Sequence, residues 1–396
     1  MSSSSSSVAP KRTFTRKKEG KTISVFGLSS EGYGIASNLA SKGYNVSLID
    51  ETLGTAMELS PQVAGDYRDI RDILEDEIPL PIKSAKDSIS GSRVVFFTPK
   101  MRRNDEDILS EAKTRIGDVS KNLSSGSLII FCLPLGIQGS KEIIDRIEHT
   151  SGMKCGLDFL FGYLPVESGK TTIFGCDGML NDFSDVVEAG GLSMEVLGVS
   201  KAEIVHAQKL VSRYSVLAST FESAKRLNQL GFDCPREYKQ VFADDLSAEL
   251  FDLRLVYESL ETGDPILYLA SGSIKSIDSY TRFLVDRIRE FVRTKELKAA
   301  RLRILLFSDN DQMEMRGDRI NLANAVVERL KDFYSDISFM NIMKQGFTLP
   351  LEMEKTNLLV FLSGSSEQKL LQLYEDQIAM TKTHVIRANL PVEFVS

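Results

Sequence analysis

Three small residues lie close together near the start of the sequence, at positions Gly27, Ser29 and Gly32. They follow a short apolar run, residues 22 to 28, and precede a stretch with helical spacing. In such a turn, glycines let the backbone approach a phosphate, and the N-terminus of the next helix donates free N–H groups to it. The spacing therefore predicts a pyrophosphate site. Ser29 stands where glycine is usual, and its hydroxyl either donates to a phosphate or narrows the site.

An acidic residue ends the second predicted strand. Asp50 lies 23 residues after Gly27, near the spacing at which a carboxylate binds the ribose hydroxyls of a dinucleotide. This carboxylate favours NAD over NADP, because a 2′-phosphate would meet a negative charge there. We predict weak NAD binding at this turn. A domain of the same shape that binds no cofactor is the alternative hypothesis.

Few other side chains are candidates for catalysis. His206 lies in a long helical pattern and is either a general base, since histidine titrates near neutral pH, or a buried helix residue without a catalytic role. Cys132 ends an apolar strand and is interpreted as a small core residue. Cys234 precedes a proline in a predicted loop. His149 and His384 have no Cys or carboxylate at the spacing of metal ligands, so we predict no metal site.

Strand and helix patterns alternate along most of the chain. The runs TISVFGL, YNVSLIDE, RVVFFTP and SLIIFCLP predict strands of a parallel sheet with helices between them. Residues 201 to 231 form one long helical pattern, further helical patterns run from about 237 to 298, and strands return with RLRILLFSD. We predict an α/β fold in four regions: a Ser-rich and basic disordered tail (1–20), a domain with a Rossmann-like parallel sheet (21–198), a central long-helix domain (199–298) and a C-terminal α/β domain (299–396).

The composition is typical of a soluble globular protein of two or three domains, with 396 residues and a formal net charge of −7. The acidic balance argues against nucleic-acid binding, which needs a basic face. No apolar run reaches the roughly 18 residues of a membrane span. The four cysteines are scattered, which argues against a disulfide framework and is consistent with a reducing cytoplasm. The tail is predicted to be a solvated arm, and weak anion binding by its basic residues is the alternative.

Several segments resemble, in order, those of the UDP-glucose/GDP-mannose dehydrogenase family, the nucleotide-sugar dehydrogenases. VFFTPK, which contains Thr98, is similar to the family's strand ending in Thr-Pro, and LIIFCLPLG to its Ser-Thr-Val-Pro-x-Gly segment. AEIVHAQKLVSRYSVLASTFES resembles its central helix, and THVIRANLP resembles its closing segment. The resemblance covers about residues 21 to 396. It implies a Rossmann domain, a dimerising central helix, NAD as cofactor with Thr98 beside it, and a nucleotide sugar as substrate.

The catalytic positions of that family are not matched. Its nucleophilic Cys lies in a Gly-Gly-x-Cys-x-Pro-Lys-Asp loop after the central helix, and this sequence has no such loop. The family's catalytic Glu falls at Val166, with Glu167 one position away, and its helix Lys and Asn fall at His206 and Leu210. Together these changes remove a nucleophile, a base and an oxyanion partner, and such sites lose most of their activity when one member is lost.

Two functions are consistent with this pattern. In the first, the chain is a nucleotide-sugar dehydrogenase homologue without catalysis that binds, scaffolds or regulates. In the second, it is an active NAD-dependent oxidoreductase on a UDP- or GDP-sugar, with His206 and Glu167 supporting a single alcohol oxidation that needs a base but no thiol. A structural protein that binds nothing small is a third hypothesis.

The long helical pattern also predicts an oligomer. Over residues 201 to 231 a helix would be roughly 45 Å long, and its apolar side chains fall on more than one face. Such a helix needs cover from beyond its own domain. We therefore predict a homodimer through this helix, as the resemblance also implies.

Overall fold

The computed structural model describes most of the chain after the N-terminal tail. The described residues are 22–67, 69–75, 80–101, 108–166, 173–178, 183, 185–186, 195–309, 313–342 and 347–395. The predicted tail and Glu167 lie outside them.

The N-terminal part is built on a nine-stranded sheet, counted over the described residues. Its strands are β1 (Thr22–Phe26), β2 (Asn45–Asp50), β3 (Thr55–Leu59), β4 (Ile82–Ser84), β5 (Val94–Phe97), β6 (Leu128–Phe131), β7 (Leu160–Tyr163), β8 (Ile173–Cys176) and β9 (Glu195–Leu197). Their order is β4-β3-β2-β1-β5-β6-β7-β8-β9. The five strands from β2 to β7 in this order are parallel, while β3, β4 and β8 pair antiparallel with a neighbour.

Helices also belong to this part of the chain, and their packing on the sheet explains why its central strands are apolar. They are α1 (Ser30–Ser41), α2 (Pro61–Asp66), α3 (Ile70–Glu75), α4 (Ala85–Ser90), α5 (Ile108–Ser120) and α6 (Gly139–Ser151). Every residue of β5 and β6 is buried. Parallel strands covered on both faces are continuously apolar, which is why VVFF and LIIF identify them in the sequence.

The central part consists of helices α7 (Val199–Gln229), α8 (Arg236–Lys239), α9 (Ala243–Ser247), α10 (Leu250–Ser259) and α11 (Pro265–Thr294). Asp264 accepts a hydrogen bond from the Ile266 N–H at 2.9 Å, and Pro265 takes the first helical position, so α11 begins with two start signals. Helices α7 and α11 pack through Phe221, whose ring centroid lies 5.3 Å from that of Tyr280. Across the described residues, no helix is long and apolar enough to span a bilayer.

The C-terminal part is a second, smaller sheet with two long helices. After a 3₁₀ turn (Ala299–Arg301) come β10 (Leu302–Ser308), α12 (Asp318–Lys331), β11 (Ile337–Asn341), β12 (Thr356–Phe361), α13 (Gly364–Ala379), β13 (Thr383–Arg387) and β14 (Glu393–Val395). The strand order is β11-β10-β12-β13-β14, and β14 alone among them pairs antiparallel. One apolar core runs from α7 and α11 into this sheet. The predicted fold class, two α/β parts with a long-helix centre, is confirmed.

The contact between α7 and α11 predicts a large effect of one substitution. Phe221 is fully buried and touches two other rings. We expect Phe221→Ala to lower the free energy of unfolding by about 3–5 kcal/mol, because it leaves a cavity. The control is Leu373→Ala on α13, where the side chain is exposed and the change should stay within about 0.5 kcal/mol. Urea unfolding measures both, and equal effects would contradict this packing.

Candidate functional site

The N-terminal sheet has a topological switch point between β1 and β5, because β2 lies on one side of β1 and β5 on the other. Ligands of open α/β sheets bind outside the carboxyl ends of the strands at such a point. Gly27, Ser29, Gly32 and Thr98 lie together there, and Asp50 ends the neighbouring β2. The structure thus gathers the residues selected by the turn motif and by the resemblance.

Both motif glycines are required by the packing of the turn against Thr98. Gly27 has φ +119°, and a Cβ at this position would lie 2.2 Å from the Thr98 carbonyl oxygen. A Cβ on Gly32 would lie 2.4 Å from the Thr98 hydroxyl oxygen. No side chain fits either position, so the turn needs these glycines whether or not a ligand binds.

The Ser29 hydroxyl makes its hydrogen bonds inside the protein. It donates to the Thr98 carbonyl at 2.8 Å and accepts from the Gly32 N–H at 3.0 Å, as the N-cap of α1. The residue is completely buried. Because a hydroxyl has a single proton to donate, that of Ser29 is already used by Thr98 rather than directed at a ligand.

A carboxylate lies at the same turn. Glu51 accepts hydrogen bonds from the Leu28 N–H at 3.0 Å and from the Lys100 N–H at 3.1 Å, and Arg115 lies 3.3 Å from it. It therefore joins the segments that follow β1, β2 and β5. Its side chain is only 10% exposed, so its charge is held at the switch point.

Asp50, the predicted ribose ligand, also has partners within the chain. Its carboxylate accepts from the N–H groups of Thr52 and Leu53, at 2.7 and 3.0 Å, and closes the turn after β2. Sequence reasoning selected Asp50 and missed its neighbour Glu51. The two adjacent acids at a strand end were the available signal, since neighbouring residues of a strand point in opposite directions.

The connection between β10 and α12 reaches this switch point from the C-terminal part of the chain. We name its residues 313–316 the clasp. The Met313 carbonyl accepts a hydrogen bond from the Ser30 N–H at 2.9 Å. Ser30 is the first residue of α1, so a carbonyl of the clasp occupies a donor at the helix N-terminus.

Met315, also in the clasp, lies deeper in the protein than Met313. The Met315 N–H donates to the Glu31 carboxylate at 2.9 Å, and the Met315 carbonyl accepts from the Met101 N–H at 2.9 Å. The Met315 side chain is fully buried in a cluster that includes Phe131 and Leu133. The clasp thus crosses the carboxyl ends of β1 and β5 and packs beside that of β6.

Arg316 anchors the clasp to the central helices. Its Nε donates to Asp252 at 2.9 Å and its Nη2 lies 2.8 Å from the second oxygen of the same carboxylate. The guanidinium also donates to the Val166 carbonyl, beyond β7.

His206 is 1% exposed and edge-on to Tyr163, with ring centroids 6.3 Å apart. His206, which the sequence left as either a general base or a buried helix residue, therefore lies in the interior of the protein.

In this arrangement the turn does not fit the phosphates of a dinucleotide. The N–H groups of Leu28, Ser30 and Gly32 already have acceptors within the chain. Two carboxylates, Glu31 and Glu51, lie where an anion would bind. These carboxylates would repel the negative charge of a pyrophosphate. A pyrophosphate could bind the N–H groups of the turn only by displacing their present acceptors.

The C-terminal sheet has a similar arrangement at its own switch point, between β10 and β12. Asp309, just after β10, accepts from the hydroxyls of Ser363 and Ser366 at 2.9 and 2.6 Å, at the N-terminus of α13. Beside it, the Ser308 hydroxyl donates to Asp244 at 2.7 Å. Sequence reasoning had no signal for this group, because its members are separated by 54 and 57 residues.

The four cysteines are unsuited to nucleophilic catalysis. Burial raises the pKa of each thiol, to about 11 for Cys155, and to still higher values for Cys132, which is fully enclosed. Lys239 opposes the effect of burial at Cys234 but does not reverse it. Since the thiolate is the nucleophile, a reactive cysteine needs a lowered pKa.

The role of Ser29 predicts a loss of stability in Ser29→Ala. The change removes an N-cap and leaves the buried Thr98 carbonyl without its donor. We expect the free energy of unfolding to fall by about 1–2 kcal/mol. Ser41→Ala, at the exposed end of the same helix, is the control and should have almost no effect in urea unfolding. A Ser29→Ala protein as stable as the parent would contradict the cap.

The carboxyl group of Glu314, in the clasp, should make the stability of the protein depend on pH. Burial raises its pKa to about 7, the nearby Glu31 and Asp318 carboxylates add to this, and Arg319 opposes it. The native state then keeps a proton that the unfolded chain loses from about pH 4.5 upward. The contribution of this group to stability therefore falls as pH rises from about 4.5 to 7.

Glu314→Gln should remove that dependence. We expect the variant to be more stable than the parent above pH 7, by about 1–3 kcal/mol, and equal to it near pH 4. Urea unfolding at a series of pH values is the measurement. Glu375→Gln, on the exposed surface of α13, is the control. Parallel curves for the parent and Glu314→Gln would contradict the buried carboxyl.

Comparison with known proteins identifies the fold. No family model matches the sequence, and no curated protein matches it significantly. Among solved structures, UDP-D-ManNAc dehydrogenase from Pyrococcus horikoshii has a TM-score of 0.66 at 16% identity, over 92% of this chain and 94% of that one. UDP-glucose dehydrogenase from the hyperthermophilic archaeon Pyrobaculum islandicum has 0.57 at 11% identity, over 89% and 92%.

A third structure agrees with these two. NDP-N-acetyl-D-galactosaminuronic acid dehydrogenase from Methanosarcina mazei has a TM-score of 0.56 at 13% identity, over 88% of this chain and 86% of that one. The match extends through both sheets and the central helices. This chain has, along nearly its whole length, the fold of the nucleotide-sugar dehydrogenases.

Proposed function

We propose that this protein is a nucleotide-sugar dehydrogenase homologue that does not carry out the four-electron oxidation of a sugar alcohol to a uronic acid. It acts by binding, as a scaffold or regulatory subunit. The observation that carries this proposal is the burial of Cys132, Cys176 and Cys234 in a chain whose sequence lacks the Gly-Gly-x-Cys loop. Burial also raises the pKa of all four thiols. The second oxidation in such enzymes needs a thiolate that attacks the aldehyde and forms a thiohemiacetal.

The surroundings of the helix positions support the same conclusion. His206 and Leu210, which stand where the resembling family has Lys and Asn, are 1% and 3% exposed. They pack inside the protein with Tyr163 and with the core of the central helices. Neither reaches a substrate without rearrangement, and catalytic groups must lie within hydrogen-bond reach of the reacting atoms.

The fold also supports a proposal of where a cofactor and a ligand would bind. We infer that any NAD binding occurs at the Gly27–Gly32 turn and is weak, because the N–H donors of that turn are engaged within the chain. A nucleotide sugar is the proposed partner of the C-terminal sheet, since the structural neighbours are named for UDP- and NDP-sugars.

An assay of product formation tests the lost oxidation. The purified protein is incubated with NAD and a panel of UDP- and GDP-sugars, with NADH followed by absorbance and products by mass spectrometry. We expect no uronic acid. NADH with an aldehyde product would favour the single alcohol oxidation instead. A uronic acid that disappears when one of the four cysteines is changed to Ala would contradict the proposal.

A homodimer is the proposed assembly. In one chain, α7 is covered along much of its length by α11, α10 and the strands β7 and β8. Apolar side chains nevertheless remain exposed on α7 and α11, namely Ile204, Val216, Ile266, Tyr268 and Leu269.

Light scattering should give about twice the chain mass of 44.0 kDa. We expect Tyr268→Lys to shift the mass toward one chain and Leu373→Lys, an exposed apolar residue of α13, to leave it unchanged. A mass near 44.0 kDa for the parent would contradict the dimer.

A further inference from the structure

We propose that the clasp, residues 313–316, is an intrachain gate that holds the dinucleotide cleft closed, so that a dinucleotide binds only when the clasp is displaced. The inference rests on the fold assigned under the proposed function, but not on the loss of catalysis. It concerns the regulation of binding at the turn between β1 and α1.

The clasp runs across the edge of the N-terminal sheet. Three hydrogen bonds of 2.9 Å attach it to the N-terminal part. The N–H groups of Ser30 and Met101 donate to the carbonyls of Met313 and Met315, and the Met315 N–H donates to the Glu31 carboxylate. They lie at the carboxyl ends of β1 and β5. That edge is where ligands of parallel α/β sheets bind, so the clasp and a dinucleotide compete for the same place.

The contacts of the clasp resemble those that a phosphate would make. A helix N-terminus offers N–H donors and a positive dipole end to an anion. In this protein the Met313 carbonyl takes the Ser30 donor, and Glu31 and Glu51 carry negative charges into the same region. The clasp therefore supplies to the turn the acceptors that phosphate oxygens would otherwise provide. The closed state leaves no donor of Leu28, Ser30 or Gly32 without an acceptor.

A buried side chain and a buried ion pair hold the clasp in place. Met315 is fully buried, and Arg316 forms a two-pronged ion pair with Asp252, whose exposure is 0%. Opening the clasp must remove Met315 from its apolar cluster. The apparent dissociation constant of a ligand equals its intrinsic value divided by the fraction of molecules in the competent state. Weakening the packing around Met315 should therefore increase the affinity of the turn for a dinucleotide.

Met315→Ala tests this directly, with NAD as the probe. Calorimetry on the full chain should give binding in the millimolar range or weaker for the parent and at least about tenfold tighter binding for Met315→Ala. The matched control is Leu370→Ala, which leaves a comparable cavity in the core of the C-terminal sheet, away from the clasp. Its NAD affinity should equal that of the parent.

Hydrogen exchange gives a second, independent measurement. The amides of Ser30, Met101 and Met315 should exchange faster in Met315→Ala than in the parent, and unchanged in Leu370→Ala. If Met315→Ala does not fold, Leu133→Ala replaces it, because it loosens the apolar cluster that holds Met315 without changing the charge of the turn. Micromolar NAD binding by the parent, or equal affinities for the clasp variant and the control, would overturn the gate.

The outcomes separate this inference from the proposed function. A clasp variant that binds NAD more tightly but forms no uronic acid supports both. A uronic acid from the parent contradicts the loss of catalysis and leaves the gate to be judged by the affinities. Equal affinities with no uronic acid contradict the gate alone.

Discussion

Helix N-termini and strand ends converge at the carboxyl edges of the two sheets, and their N–H groups require acceptors. Glu51 accepts from the turn before α1. Glu203 of α7 accepts from the N–H groups of Gln138 and Ser140 at the start of α6, at 3.0 and 2.7 Å. At the start of α13 the Ser363 hydroxyl accepts from the Ser366 N–H, and Asp309 accepts from the Ser363 and Ser366 hydroxyls. The chain thus provides acceptors for these groups from its own side chains.

These internal acceptors also fix the parts of the molecule to one another. Glu203 joins the central helix to the N-terminal sheet, and Arg316 joins the C-terminal part to Asp252 and to the Val166 carbonyl. Exposed ion pairs contribute little to stability, but removing one partner of a buried pair leaves an uncompensated charge. The contact between Arg316 and Asp252 is of the second kind, so removing either partner should weaken the attachment of the C-terminal part to the central helices.

Much of the fold could be predicted from local sequence. The apolar runs of β5 and β6 and the long pattern that became α7 are local signals, and the structure contains all three. The glycines of the first turn were also found, and phosphate binding by this turn stays a prediction. The motif was attributed to a phosphate, whereas Gly27 and Gly32 are already required by their contact with Thr98. A motif can therefore outline a fold without revealing whether its ligand is bound.

The sequence by itself determined the order of strands and helices, the position of the turn and the absence of the Gly-Gly-x-Cys loop, because each of these depends on neighbouring residues. Only the tertiary structure decided what occupies the turn. Met315 meets Glu31 across 284 residues of chain, and Glu51, rather than Asp50, accepts from the turn because of the direction in which its side chain leaves the strand end. Contacts of this kind depend on how the sheets are placed against each other, and no periodicity or spacing in the sequence encodes that placement.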